Sequence, residues 1–288
     1  VLDRRHRPGG AIQAARMADL AGFRRVSLDL IYGTPGETLT SWRKTLDAAV
    51  GTGITHVSAY ALKIESGTAL ARRVAAGELP ATDDDFAAAC YEAADEVLSS
   101  AGLPWYEISN WAVPGHECQH NIGYWVGDDW WGVGPGAHSH VNGVRWWNVR
   151  HPRDYAARLA AGKSPGQGRE ELSPNQRRVE RVLLEPRLAT GLPTTVLTRS
   201  ERDRLPELVA GGLAQGGPER LRLTLEGRLL LARSMAACRA AGLAAVTLAV
   251  TTRNPARHLA DQLGFQPTTC GEVAIWWRDG RQTVWREG

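Results

Sequence analysis

Apolar and polar positions recur along the chain with two periods. Residues 11–23, AIQAARMADLAGF, place Ile12, Ala15, Met17 and Leu20 on one side of a helix, with Gly22 as its C-cap. RRVSLDLIY (24–32) is a nearly continuous apolar stretch and reads as a strand. A Gly/Pro turn, GTPGET (33–38), follows, and Thr38 or Thr40 caps the helix SWRKTLDAAVGTG. THVSAYALK (55–63) is a second strand. Strand, helix and strand in this order predict a βαβ unit with a right-handed crossover. After a loop with a short helix, residues 83–102 form an amphipathic helix whose three leading aspartates suit the positive end of the helix dipole. WYEISNWA (105–112) then reads as a third parallel strand. A closed (β/α)8 barrel needs about 250 residues, so residues 1–112 predict an α/β fold that is the second half of a partial (β/α) barrel.

The alternation breaks at residues 113–150, which are rich in Gly, His and Trp; loops of this kind at strand ends usually hold a site. Seven tryptophans fall between Trp105 and Trp147, enough for an aromatic-walled cavity or a large core. Residues 151–230 read as mainly helical, with a short strand near the end, in the order of a winged-helix-like end piece. From 231 to 288 the character changes to a small α/β tail: a helix over about 231–242, a strand at 244–251, a helix at 254–263 and two more strands. Four segments are thus expected, 1–112, 113–150, 151–230 and 231–288.

Composition narrows the function. An apolar share of 43% supports a buried core. The net charge of +3, with no basic stripe, argues against nucleic acid as a partner. No run of eighteen apolar residues is present, and VLDRRHRPGG lacks the apolar region of a signal peptide, so a cytoplasmic location is expected. The chain begins without Met, as if inside a longer sequence. Its cysteines, Cys90, Cys118, Cys238 and Cys270, lie far apart, whereas a zinc ribbon or an iron–sulfur loop needs closely spaced thiolates. GTPGET lacks the spacing and lysine of a Walker loop, so nucleotide hydrolysis is not expected, and its glycines serve the turn.

The strings LDRRH (2–6), SLDLIYGTPGET (27–38), VSAYAL (57–62), WYEISNWA (105–112), CQHNIGYW (118–125) and DWWGVGPGAHSH (129–140) come in the order and spacing of one family. Residues 1–231 resemble the later part of the HemW-type heme chaperones, radical S-adenosylmethionine (SAM) relatives of oxygen-independent coproporphyrinogen oxidase. The resemblance implies heme as ligand and a heme-accepting protein as partner, with the membrane surface reached through that client. It implies a partial radical-SAM-type barrel. It also implies SAM and a [4Fe–4S] cluster held by C-x3-C-x2-C in full-length members; no such triplet occurs in this sequence, so radical chemistry is not expected of this chain. Arg4 and Asp29 match positions that contact SAM in the oxidase relatives. A carboxylate near the end of a parallel strand can accept from ribose hydroxyls, and an arginine can hold a carboxylate with two bonds. The HNxxYW signature is intact as His120, Asn121, Tyr124 and Trp125. His120 and Tyr124 are i, i+4 and share a helix side; the imidazole suits heme iron and the aromatic rings suit a porphyrin face. His138 and His140 share a strand face, where they offer a weaker metal site, and His116 and Cys118 flank the signature.

Residues 229–265 resemble the second half of a GNAT N-acetyltransferase, with Asn254 and Leu263-Gly264-Phe265 at the usual places. The pyrophosphate loop before the first helix is missing, and Ala260 stands where the CoA-thiolate tyrosine is usual, so acetyl transfer is not expected. A junction near 227–234 is implied. Three alternatives stay open: a fragment of an oxygen-independent coproporphyrinogen III oxidase-like enzyme, a fusion with an acetyltransferase remnant, and a product without function.

Overall fold

The computed structural model describes residues 9–65, 67–217 and 219–231, together with two strands of the tail. The chain divides into two compact units: residues 1–117, 198–216 and 223–288 in the first, residues 118–197 and 217–222 in the second.

The first unit opens with α1 (Gly10–Leu20), β1 (Ser27–Tyr32), α2 (Leu39–Val50) and β2 (His56–Ala61). β1 and β2 are parallel and in register from Ser27↔His56 to Tyr32↔Ala61, so the predicted βαβ unit is present. Thr38 is the N-cap of α2: its hydroxyl accepts from the Ser41 N–H, and the Ser41 hydroxyl in turn accepts from the Thr38 N–H. Along α1 only Ala15 is buried, while Met17 and Leu20 are exposed; the inward stripe of that helix excludes two of the four residues expected on it. Gly22, just past the helix, takes φ 86°, as its C-cap role requires.

α3 (Ala69–Ala75) and α4 (Asp84–Ser100) follow. Asp83 caps α4 by accepting from the Asp85 and Phe86 N–H groups, which accounts for the first acid of the triplet. WYEISNWA does not form the third parallel strand. It folds into two short strands, β3 (Trp105–Glu107) and β4 (Asn110–Ala112), and β4 runs antiparallel to both β2 and β3. The Glu107 side chain causes the break: it accepts from the Ser109 N–H at 3.2 Å and from the Asn110 side chain, a local alternative to a continued ladder. The sheet order is β1-β2-β4-β3.

α2 and α4 cover one face of this sheet. Trp42, Leu46, Val57, Leu98 and Trp111 are fully buried there. Burial stabilises each aliphatic side chain by about 1.5–3 kcal/mol. The indole donors are satisfied, Trp42 Nε1 by the Cys90 carbonyl at 2.7 Å and Trp111 Nε1 by Asp95 at 2.9 Å. Arg228, in the helical stretch 225–231, docks on the same core. Its guanidinium lies 3.9 Å from the Trp105 ring centroid and bonds the Tyr91 hydroxyl at 2.9 Å and Asp95 at 3.0 Å. The unit also holds α8 (Arg199–Arg202), α9 (Leu205–Ala210) and β9 (Ala214–Gly216).

The second unit starts with α5 (Gln119–Val126) and continues with β5 (His138–Val141), β6 (Val144–Asn148), α6 (Pro152–Ala160), β7 (Gly166–Glu171), α7 (Pro174–Leu184) and β8 (Leu192–Pro193). β5, β6 and β7 form an antiparallel meander. β7 lies in a stretch read as mainly helical, and the structure corrects that reading: GQGREE alternates between half-buried and exposed positions, and its ladder with β6 sets it. Arg145 on β6 grips Glu180 on α7 with two bonds of 2.7 and 2.6 Å. β10 (Arg220–Leu223) pairs antiparallel with β8 through Leu221↔Leu192. In the tail, β11 (Val246–Ala249) and β12 (Glu272–Ile275) pair antiparallel. The helices expected at 231–242 and 254–263, and with them Asn254, Ala260 and the 263–265 triplet, lie outside the described residues. Among the described residues no helix is long and apolar enough to cross a membrane.

Candidate functional site

The HNxxYW residues all lie on α5. Gly127, with φ 72°, caps the helix in the left-handed conformation and turns the chain toward Trp130. His120 is exposed, and its Nε2 shares a hydrogen bond with the Tyr124 hydroxyl at 3.0 Å, as their i, i+4 spacing predicts. The two rings meet edge to face at 4.7 Å. The Tyr124 ring then meets Trp130 edge to face at 4.7 Å, and Trp130 lies 4.8 Å from the His140 ring. Four rings thus form one row, His120–Tyr124–Trp130–His140. Trp130 and His140 are joined by two backbone bonds, of 2.8 and 2.9 Å, which fix the far end of the row.

Trp125 points elsewhere. Arg187 covers its ring at 5.2 Å, and among the described residues its buried Nε1 has no hydrogen-bond partner. Asn121 is half-buried on the same helix. The loop after α5 is held by side chains: Ser139 accepts from the Gly132 N–H at 2.9 Å, Tyr155 from the Gly134 N–H at 3.1 Å, and the Asn148 amide donates to the carbonyls of Gly132 and Gly134. This clamped loop carries Trp131 and Val133, which are 71% and 81% exposed, so apolar surface stands in water beside the signature. The tryptophan-rich stretch is therefore split: Trp111 is fully buried in the core of the first unit, while Trp125, Trp130, Trp131, Trp146 and Trp147 belong to the second.

His138 and His140 do not converge as a metal site. His138 is exposed and stacks on Trp147, whereas His140 is buried against Trp130. Among the described residues no group of three His, Cys, Asp or Glu side chains is placed to hold a metal ion.

Of the residues implied for SAM, Arg4 lies outside the described residues. Asp29 is exposed at the third of six positions in β1, farther from the strand end than expected. Register places it beside Ser58 on β2, which pairs with Asn110 on β4, which pairs with Glu107 on β3. A polar row thus crosses all four strands, and sequence reasoning missed three of its members; the only available signal was the polar residue inside each apolar strand. Beyond β1 the GTPGET turn closes on itself. The Glu37 carboxylate accepts from the Gly33 N–H at 2.7 Å and the Thr34 N–H at 3.2 Å, using two backbone donors that a phosphate cradle would need.

The described fold has a likeness among solved structures, one that is named a radical SAM enzyme. Coproporphyrinogen III oxidase (HemN) from Escherichia coli superposes with a TM-score of 0.64 over 80% of this chain and 58% of its own, at 18% identity, a likeness of fold. Over four-fifths of its length the chain is also similar to proteins named heme chaperone HemW. It is 53% identical over 229 residues to the heme chaperone HemW of Mycobacterium tuberculosis, and 34% identical over 192 residues to that of Synechocystis. These matches cover 80% and 66% of this chain, and 59% and 46% of the two relatives, so the chain spans about half the length of the relatives it matches. No family model matches the chain.

Proposed function

We propose that this chain holds heme at α5 and passes it to an accepting protein, as a heme-transfer module of the HemW kind. One observation carries the reading: His120, an exposed imidazole, stands at one end of a row of aromatic rings, and the loop after its helix is held by side-chain hydrogen bonds. Porphyrin is a flat apolar disc, and aromatic burial supplies most of the attraction for such a ligand. His120 gives its Nε2 lone pair to the iron once Tyr124 releases it, and Tyr124, Trp130 and the exposed Trp131 offer ring surface to the macrocycle. Being half in solvent, the site lets the cargo leave.

The supporting similarity is to proteins named heme chaperones at up to 53% identity. The same reading places the chain in the cytoplasm, with its client at the membrane surface, and takes Arg4 and Asp29 as remnants of a SAM-facing surface; Asp29 accepts from ribose hydroxyls. The partial barrel, the winged-helix-like end piece and the GNAT-like tail belong to this reading as proposals of architecture. A [4Fe–4S] cluster does not fit the residues present, because no three cysteines of the sequence are grouped. The chain's own contribution is thus holding and presenting porphyrin. Titration with hemin tests it: the wild-type chain gives a shifted Soret band, and His120→Ala weakens binding about tenfold or more. An unchanged spectrum and affinity in His120→Ala removes His120 from the site.

A further inference from the structure

The loop between α5 and β5 presents two large apolar side chains to water, Trp131 and Val133. Gly132 and Gly134 between and after them are half-buried, so exposure alternates along the stretch and the two side chains stand outward. A Cβ on Gly132 would overlap the His138 carbonyl, so the loop backbone lies directly against β5. Ser139, Tyr155 and Asn148 hold that backbone through the bonds described above. One edge of the Trp131 ring rests on Trp146, at 4.9 Å between centroids. A single apolar residue in water is ordinary; two on one held loop mark a contact surface.

Positive charge surrounds them. Arg150 lies at the base of the loop, its Cγ 3.6 Å from where a Cβ on Gly136 would stand. Arg153 is in α6, the helix whose Tyr155 bonds the Gly134 N–H. Arg169 is the cross-strand neighbour of Trp146, on which Trp131 rests. All three arginines are exposed, and among the described residues none is bonded to a carboxylate. Of the nearby acids, Asp128 stands at the root of the loop just past Gly127 and Asp129 accepts from the Asn142 N–H at 2.8 Å. Asp154 lies in the first turn of α6, where it suits the helix dipole. The second unit as a whole has 12 arginines and lysines against 8 aspartates and glutamates, a net charge of +4 in a chain of +3.

We propose that this loop docks the chain on an anionic phospholipid bilayer. Trp131 and Val133 enter the boundary between headgroups and acyl chains, and Arg150, Arg153 and Arg169 meet lipid phosphates. Tryptophan suits that depth, because its ring is apolar while its Nε1–H still donates to a headgroup oxygen. Arginine holds phosphate with paired bonds, and basic residues near the surface are drawn to anionic lipid. A groove on a protein would take the two apolar side chains, but a lipid surface also accounts for the positive charge around them. Among the described residues no helix is long and apolar enough to cross a membrane, so the contact made by this loop is superficial. The inference goes beyond heme holding and does not depend on it.

The test is vesicle flotation of the whole chain without heme. The chain is expected to float with vesicles of phosphatidylcholine and phosphatidylglycerol in equal parts, and to stay behind with phosphatidylcholine alone. Trp131→Ser combined with Val133→Ser is expected to weaken binding about tenfold or more. Arg150→Gln combined with Arg153→Gln is expected to weaken it and to reduce its dependence on salt. Acyl chains carrying bromine are expected to quench the fluorescence of the wild-type chain more than that of Trp131→Phe, which reads insertion at this ring. A wild-type chain that binds neither kind of vesicle overturns the assignment. So does a double serine variant that binds lipid as the wild type does; if that variant instead loses an accepting protein, the loop is a protein interface. Should the double serine variant fail to fold, the quenching decides, and equal quenching of wild type and Trp131→Phe sinks the proposal. With no heme in the assay, each of these outcomes is separate from the fate of the His120 reading.

Discussion

His56 shows how one buried side chain ties stability to pH. It sits on β2 with Nδ1 2.8 Å from the Ser27 hydroxyl and Nε2 2.8 Å from the Tyr106 hydroxyl, and the residue is buried. Removal from water lowers its pKa, and the charges of Asp29 and Glu117 oppose that shift without reversing it. The unfolded chain, with an ordinary histidine near 6.5, therefore binds the proton more readily than the folded one. The stability that depends on neutral His56 is complete above about pH 6.5 and is lost as pH falls toward the lower folded-state value. Urea unfolding midpoints are expected to drop between about pH 7 and about pH 5, and His56→Gln, which keeps hydrogen-bonding groups but cannot titrate there, is expected to flatten that part of the decline. An identical decline in the variant assigns the effect to other groups.

At the level of elements, the β5–β6 hairpin turns on Asn142-Gly143, both left-handed, with φ 52° and 80°. Asn142 is the only non-glycine residue with positive φ among the described residues. This two-residue turn matches the twist of the flanking strands, and Asn-Gly is its strongest signature. Gly143→Ala forces a Cβ into left-handed backbone and toward the Arg177 guanidinium. A loss of about 1–2 kcal/mol is expected in chemical denaturation, with the arginine yielding and the backbone strain remaining. No loss would mean the turn relaxes to another type. The signal was in the sequence, unlike several others. α2 and α4 are legible because their caps, Thr38 and Asp83, act on residues two or three positions away. β7 is not, since Gly166–Glu171 contains no apolar side chain and its state is decided by β6. WYEISNWA has the composition of one strand and is split by a contact of Glu107 that no periodicity encodes. The candidate site divides the same way. His120 and Tyr124 follow from helical spacing, but Trp130 and His140 meet through a bridge in a loop without period, and Ser58 and Asn110 join Asp29 through strand register.

For the whole molecule, the two compact units hold two different sets of candidate residues. Asp29 and its polar row lie in the first, and the whole His120–His140 ring row in the second. Opening SAM reductively needs a cluster with one iron left free by three neighbouring thiolates. Of the two described cysteines, Cys90 is buried, with its thiol pushed up to about 11 by desolvation first and by Glu37 second, and Cys118 is exposed in the other unit. A thiol held protonated is a poor cluster ligand. Cys238 and Cys270 add no close neighbour in sequence. Anaerobic reconstitution of the 288-residue chain with iron and sulfide is therefore expected to give no stoichiometric iron–sulfur absorbance and no SAM cleavage, while hemin binding by the same preparation persists. On the proposed function, porphyrin holding draws on α5, the loop after it and β5, all inside one unit, so the two activities are expected to part in this chain. Cluster absorbance together with SAM breakdown would show that distant cysteines assemble a radical centre, and the division of labour between the units would then have to be abandoned.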